Sequence, residues 1–218
     1  LGLGNPLAAP AAEDGYRAAS RAKGGGVAEG SVGAGTGATV AKLLGAEHAL
    51  KGGLGTASLL GPNGIVVGAL VATNAVGSLV DPDTGRLVAG PRGTKGRFLP
   101  LPEALARRTE AFELTPGENT TLICVATNAK LTKAQAHRMA LMADDGFARA
   151  IFPSHTLGDG DTVFSLAAGT WTGNVDITRI GGLAAGVMAR AIVRAAAEST
   201  VNRTLPAGRA SCACGSYI

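Results

Sequence analysis

Apolar and polar positions recur along this 218-residue chain in patterns that predict an ordered series of strands and helices. Two apolar runs flank Pro62-Asn63-Gly64, whose residues suit a tight turn, and therefore predict a β-hairpin. Further strands are predicted at Thr120–Thr127 and in "DTVFSLAAG", which begins at Asp161. Long helices are predicted in "LTKAQAHRMALMADDGFARAI", with Thr132 as N-cap, and in the Ala-rich "NVDITRIGGLAAGVMARAIVRAAAEST". This order of elements favours a layered α/β sandwich.

The remaining segments are less regular. "AAPAAEDGYRAASRA" predicts a helix that ends at three consecutive glycines, and a Gly-rich segment follows it. Residues 91–119 are rich in Pro, Arg, Gly and Glu and are interpreted as a surface loop or processing linker, with a short helix at Leu101–Ala111.

Composition narrows the function classes. An apolar fraction of 46% is enough for a substantial core, and 33 glycines with only 4% aromatic residues predict close backbone packing. The net charge of +4 is dispersed and has no basic block, which argues against nucleic-acid binding. No apolar run approaches the roughly 20 residues that span a bilayer, and no signal peptide is recognisable, so we expect a cytoplasmic protein without a membrane partner.

The three cysteines do not suggest a disulfide framework or a metal site. Cys124 lies within an apolar run and is predicted to be a small buried hydrophobic residue. Cys212 and Cys214 form a Cys-x-Cys pair in an atypical tail that offers no further ligands at suitable spacing. Neither a metal nor another cofactor is therefore expected.

The Gly-rich segment is the first candidate for chemistry. "GAGTGA", at Gly33–Ala38, imitates part of a dinucleotide-binding fingerprint, but no clear strand precedes it. Lys42 is neither directly preceded by Gly nor followed by Ser or Thr, so the segment also fails as a Walker loop. The alternative interpretation is a turn in which glycine lets backbones approach closely.

The Asn119-Thr120 junction is the second candidate, because a polar Pro-Gly-Glu-Asn turn leads directly into an apolar strand. A threonine hydroxyl is a poor nucleophile unless a base is adjacent, and an N-terminal threonine carries its own base in its α-amine. Before cleavage the same hydroxyl could attack the Asn119 carbonyl to give an ester that water opens. From the junction alone, an ordinary strand start with β-branched residues is the favoured explanation of Thr120.

Other polar residues favour the chemical interpretation. Asp159 and Asp161 flank Gly160, so in an extended conformation both carboxylates project from one side. Such a pair could orient the threonine amine and hydroxyl, or it could be an acidic turn before a strand. Asn74 follows an apolar strand, where its amide could donate to a developing oxyanion.

In combination, four stretches resemble the self-processing N-terminal-nucleophile hydrolases that include nylon-oligomer hydrolase and the DmpA-type aminopeptidases. They are "GTGATVAKLLG", "TNAVGSLVDPDTGRLVAG", "NTTLICVATNAKLTKAQAHRMA" and "HTLGDGDTVFSLAAG", and the resemblance covers roughly residues 11–199. It implies a four-layer αββα sandwich that cleaves itself before its nucleophile and acts on a small amide or peptide. The processed fragments stay together and assemble into homo-oligomers in this family.

The resemblance also implies roles for individual residues. Thr120 matches the nucleophile, which makes Asn119-Thr120 the cleaved bond, and threonine is the choice of the nylon-hydrolase branch. Lys42 matches an active-site lysine, and Asn74 matches the asparagine that helps to stabilise the oxyanion. Asp159 and Asp161 match the acidic pair that orients and charges the nucleophile.

This match divides the chain into residues 1–119, the C-terminal part of an α fragment, and residues 120–218, a β fragment with an atypical tail at 201–218. Relatives carry a longer N-terminal segment with central strands, so we expect a truncated member that lacks those strands. An acyltransferase of the ornithine acetyltransferase type, using the same acyl-threonine, is an alternative. An inactive or nucleotide-binding paralogue is another.

Overall fold

The computed structural model describes residues 9–93, 97–108 and 119–199. Its helices are α1 (Ala12–Ser20), α2 (Leu101–Arg107), α3 (Lys133–Ala150) and α4 (Ile177–Ala197). Its strands are β1 (Thr39–Val40), β2 (Leu50–Lys51), β3 (Gly53–Leu60), β4 (Val66–Thr73), β5 (Ser78–Val80), β6 (Leu87–Ala89), β7 (Leu122–Ala129), β8 (Ile151–Phe152) and β9 (Thr162–Trp171).

The main sheet has four strands in the order β3-β4-β7-β9. β3 and β4 form the predicted antiparallel hairpin, and the turn includes Asn63 at a positive φ of 63°, a conformation that asparagine tolerates. β4 also pairs antiparallel with β7, whereas β7 and β9 are parallel. A parallel pair needs a long crossover, which α3 provides between β7 and β9.

Helices α3 and α4 cover one face of this sheet. Alternate strand residues such as Val67 and Val125 point to that face and pack in one core with Phe147 of α3 and Ile192 of α4. By length and composition α4 could span a membrane, but two thirds of its apolar window is buried within the protein, as in a core helix. The predicted N-cap is confirmed, because the Thr132 side chain accepts a hydrogen bond from the Gln135 N–H.

The other face of the main sheet carries apolar side chains that are partly open to solvent. Leu70, Leu122, Phe164 and Leu166 are between 38% and 59% exposed. Cys124 lies on the same face between Leu70 and Phe164, so it is half-buried and not fully buried as predicted. The mixed α/β class is confirmed, and the described residues supply a helical layer and a sheet layer of the expected four-layer sandwich.

Two smaller sheets lie beside this core. β6, β5 and β8 form an antiparallel three-stranded sheet, and β1 pairs with β2. The described part of the predicted linker has regular structure. The backbones of Arg92 and Phe98 form an isolated antiparallel β-bridge, and Ala104 of α2 is buried. The predicted helix at 101–111 ends at Arg107. Residues 94–96 and 109–118, the tail at 201–218 and the cysteines at 212 and 214 lie outside the described residues.

The strand predicted at Thr120–Thr127 instead spans Leu122–Ala129. Its first two predicted residues are excluded because the Thr121 N–H bonds to the Asp161 side chain and not to a neighbouring strand. The "GAGTGA" stretch begins with a one-turn 3-10 helix at Gly33–Gly35. A Cβ at Gly35 would lie 2.2 Å from the Leu54 nitrogen, which supports the interpretation of this segment as a close-packed turn.

Candidate active site

The Asn119-Thr120 peptide bond lies immediately before β7 and is paired with the turn that precedes β9. The Gly160 N–H donates to the Asn119 carbonyl oxygen at 2.7 Å, and the Thr162 N–H donates to the Thr121 oxygen at 3.1 Å. The parallel pairing of β7 with β9 therefore extends across the peptide bond predicted to be cut. Asn119 is buried and Thr120 is half-buried, so this bond lies at the edge of the core.

Gly160 also leaves space for the Thr120 hydroxyl. A Cβ added at Gly160 would lie 2.8 Å from Thr120 Oγ1, and the three atoms nearest to it outside the adjoining residues all belong to Thr120. The hydroxyl is therefore seated beside the residue whose N–H binds the Asn119 carbonyl.

Asp161 contacts the residue that follows Thr120. Its Oδ1 accepts the Thr121 N–H at 3.0 Å, and its Oδ2 lies 3.2 Å from Nδ1 of His155. The side chain is only 4% exposed, and this burial is the main cause that raises the pKa of Asp161. Asp159 raises the pKa further, whereas the Thr121 N–H and His155 act in the opposite direction.

Asp159 has a different set of partners, although it is only two residues away. Its Oδ1 accepts the Val76 N–H at 3.1 Å. Its Oδ2 accepts both the Thr156 N–H at 3.0 Å and the Thr156 hydroxyl at 2.6 Å. Asp159 therefore closes the turn before β9 and ties it to the segment after β4.

Asn74 contacts both Lys42 and Thr121. Asn74 Oδ1 accepts the Thr39 N–H at 3.0 Å and lies 3.2 Å from Lys42 Nζ, which fixes Nδ2 as the donor side of the amide. The Asn74 backbone N–H donates to Thr121 Oγ1 at 3.3 Å. All four residues are buried, so the Lys42 amino group is held in a largely water-excluded position.

The structure thus brings every predicted site residue into one connected group: Lys42, Asn74, Asn119, Thr120, Asp159 and Asp161. Sequence reasoning missed three contributors, Thr121, His155 and Gly160. His155 and Gly160 lie in "HTLGDGD", the stretch that also contains Asp159 and Asp161, but their contacts include residues from elsewhere in the fold. Within the described ranges, no cluster of three or more His, Cys, Asp or Glu side chains could hold a metal ion.

Chemically, the site combines a hydroxyl, a buried cation, two carboxylates and several N–H donors around one peptide bond. A hydroxyl beside a hydrogen-bonded carbonyl is the arrangement required for acyl transfer. These components suit acyl transfer at an amide carbonyl.

Comparison with known proteins shows to which family the chain belongs. The model of peptidase family S58 matches residues 6–210, and the chain belongs to this family. Solved structures support the same fold: a Burkholderia sp. beta-aminopeptidase is 26% identical with a TM-score of 0.60, covering 91% of this chain and 56% of its own. The L-aminopeptidase D-Ala-esterase/amidase of Ochrobactrum anthropi, described as a variant of the Ntn hydrolase fold, has a TM-score of 0.60 at 19% identity, over 91% and 54% of the two chains.

Curated relatives agree with this assignment. An uncharacterized aminopeptidase of Mycobacterium leprae is 40% identical over 91% of this chain and 59% of the relative. One of Mycobacterium tuberculosis is 42% identical over 73% of this chain and 46% of the relative. The chain therefore spans about half to three fifths of the length of these relatives. The predicted resemblance is confirmed at the level of the family, and the comparisons favour a hydrolase over the acyltransferase alternative.

Proposed function

We propose that the protein is a self-processing amide hydrolase whose nucleophile is Thr120 after cleavage of the Asn119-Thr120 bond. The single observation that carries this proposal is the placement of the Thr120 hydroxyl beside Gly160, whose N–H binds the Asn119 carbonyl. A donor on that oxygen polarises the carbonyl and stabilises the negative charge that develops when the hydroxyl attacks.

Processing follows from this geometry in two steps. Thr120 Oγ1 attacks the Asn119 carbonyl carbon, the C–N bond breaks, and the acyl group moves from nitrogen to oxygen as an ester. Water then opens the ester, which releases the Asn119 carboxylate and leaves Thr120 with a free hydroxyl and a free α-amine. The pairing of residues 119–121 with residues 159–162 holds the reacting atoms in place during both steps.

Turnover uses the same hydroxyl on an external amide. The α-amine of Thr120, with an ordinary pKa of about 7.7–8.0, accepts the hydroxyl proton and returns it to the leaving amine. Water then opens the acyl-threonine ester, which releases the acid and restores the hydroxyl. Lys42, buried beside Asn74, disfavours a second positive charge and so keeps that amine in its basic form. The Asn74 amide faces the oxyanion, and Asp161 orients the backbone that carries the nucleophile.

Residues 1–119 and 120–218 would then be the α and β fragments, which remain associated through the shared core. Val67 of β4 and Val125 of β7 lie in the same core on opposite sides of the cut, which supports that association. The beta-aminopeptidase relative makes small amides and peptides of amino acids the substrate class to test first. We retain the predictions of a cytoplasmic homo-oligomer without a cofactor as part of this proposal.

The decisive test is Thr120→Ala, compared with Thr120→Ser as the matched control that keeps a hydroxyl. Intact-mass spectrometry of the purified protein should show a fragment that begins at residue 120 in the parent and in Thr120→Ser. Thr120→Ala should remain uncut and should show no hydrolysis of aminoacyl anilides, because the attacking oxygen is gone. Cleavage at another bond, or full amidase activity in the uncut Thr120→Ala protein, would contradict the mechanism.

A further inference from the structure

His155 lies between the candidate active site and helix α3, in the loop between β8 and β9. Its Nδ1 is 3.2 Å from Oδ2 of Asp161, and its Nε2 is 3.4 Å from Oδ2 of Asp144 on α3. The ring also makes an edge contact with Phe147, with centroids 4.7 Å apart. Three contacts therefore fix the position and the orientation of one imidazole ring.

The backbone supports this arrangement at some cost. His155 has a φ of 52°, in the left-handed region that non-glycine residues seldom adopt. Such a conformation persists where surrounding contacts hold it, and it is found disproportionately at functional sites. Here the contacts that hold it are those of the ring with Asp161, Asp144 and Phe147.

The chemistry of the ring matches its two neighbours. A neutral imidazole donates from one nitrogen only, whereas the doubly protonated ring donates from both and can bond to both carboxylates. Asp161 is 4% exposed, and its other oxygen already accepts the Thr121 N–H, so a donor on Oδ2 satisfies the remaining side of the buried carboxylate. Asp144 is about half exposed and contacts the ring from the solvent side.

We propose that His155 is a positioning residue, which holds the Asp161 carboxylate turned toward the Thr121 N–H beside the nucleophile. This inference rests on the proposed function, because its effect is read through processing and turnover at Thr120. His155 does not touch the reacting atoms. It acts through Asp161, while Asp144 and Phe147 set the direction of its ring.

A pair of substitutions at position 155 separates the donor from the backbone. Asparagine and glycine both tolerate the positive φ, but only asparagine keeps a side-chain N–H near the position of Nδ1. His155→Gly should reduce the rate of processing and the kcat of amide hydrolysis about 10-fold, the effect of losing one hydrogen bond to a charged group. His155→Asn should recover most of both rates.

The pH profile gives a readout that a merely structural histidine would not move. The carboxylates beside the His155–Asp161 pair are Asp159 from the same loop and Asp144 from α3. Lys42 contacts Asn74, whose N–H bonds to Thr121, the residue that Asp161 contacts. Since His155 lowers the pKa of Asp161, its removal should move the acid limb of kcat to higher pH in His155→Gly. His155→Asn should show a smaller movement, because it restores the hydrogen bond but not the charge.

Neighbouring residues of α3 offer a matched control. Asp144→Ala should reduce kcat measurably, by about 2- to 5-fold on the scale of one exposed ion pair, whereas Asp145→Ala at the next, exposed position should not. The positioning role is overturned if His155→Gly matches the parent in both rates and in its acid limb. It is also overturned if asparagine and glycine lose the same activity in proportion to a loss of folded protein. If Thr120→Ala itself remains active, the proposed function fails, whatever the variants of His155 do.

Discussion

The turn at Gly160 and the Gly-rich segment at Gly35 both depend on a missing side chain, but for different reasons. At Gly160 the atom nearest to an added Cβ would be the Thr120 hydroxyl oxygen, at 2.8 Å. At Gly35 an added Cβ would meet the Leu54 nitrogen at 2.2 Å and the Gly30 oxygen at 2.5 Å. The first space is filled by a side chain that can rotate, and the second is filled by backbone that cannot move alone.

This difference shows what a glycine pattern does and does not indicate. "GAGTGA" looks more like a binding motif than the glycine between two aspartates, yet its Gly35 serves close packing of the turn against β3. Gly160 lies instead where strand pairing, a carbonyl and a hydroxyl meet. The function of a glycine therefore depends on the atoms that occupy its missing side chain, which the spacing of glycines does not reveal.

Substitution of Gly160 by alanine should give the largest effect. Its φ lies outside the left-handed region, so alanine is compatible with the backbone, and the closest contact of the new Cβ is with the Thr120 hydroxyl. A displacement of about 1 Å at a reacting group can reduce its rate about 100-fold, so processing should slow by that order. Time-resolved mass spectrometry of cleavage measures this rate, and circular dichroism should show a folded protein.

Gly35→Ala is the contrasting control. We expect the free energy of unfolding to fall by about 1–3 kcal/mol, the usual cost of overpacking, because backbone atoms of β3 must shift. The fraction that remains folded should process at the parental rate. The two glycines would not have different roles if Gly160→Ala is processed at the parental rate, or if it unfolds as readily as Gly35→Ala.

Much of the fold follows from local patterns. The hairpin at Pro62–Gly64 and helix α3 with its Thr132 cap are specified by neighbouring residues, so sequence alone predicts them. The start of β7 is different. Thr121 has strand composition, but its N–H is taken by Asp161, which is 40 residues away, so the strand begins at Leu122.

The candidate site, like the fold, can be predicted from the sequence only in part. Residue types that suit acyl transfer can be recognised in the sequence, and this suffices for Thr120, Asn74 and the two aspartates. Their different partners cannot be recognised there, since the spacing of Asp159 and Asp161 suggests one shared task. The structure gives Asp159 to the turn and Asp161 to Thr121. His155 was missed because its link to Asp144 joins a loop to a helix face.

The pH dependence of stability tests whether burial dominates the environment of Asp161, the residue after Gly160. Because the folded-state pKa of Asp161 is raised above its ordinary 3.8, the folded protein binds more protons than the unfolded chain between those two values. Its contribution to stability is fully present below pH 3.8 and is lost as the pH rises through the raised folded-state value. The Asp161→Asn variant lacks this titrating group. Its free energy of unfolding should therefore increase relative to that of the parent as the pH rises.

Denaturant titrations at several values from about pH 4 to about pH 7 measure this difference across the range where carboxylates ionise. Both proteins should carry Thr120→Ala, so that all chains stay uncut and the comparison is between intact proteins. A difference that is constant with pH, or that favours the parent at higher pH, would show that burial does not dominate the environment of Asp161.

The smallest effect is expected at Thr121, which composition alone assigns to packing. Its hydroxyl accepts the Asn74 N–H at 3.3 Å in a fully buried position, so valine keeps the shape but leaves that N–H without this acceptor. Thr121→Val should still be cut before residue 120, while its free energy of unfolding falls by about 1 kcal/mol. Thr121→Ser is the matched control, because it keeps the hydroxyl and loses only a methyl group. Parental stability in Thr121→Val would return Thr121 to a packing role, and failure to cut would mean that the Asn74 contact aligns the nucleophile itself.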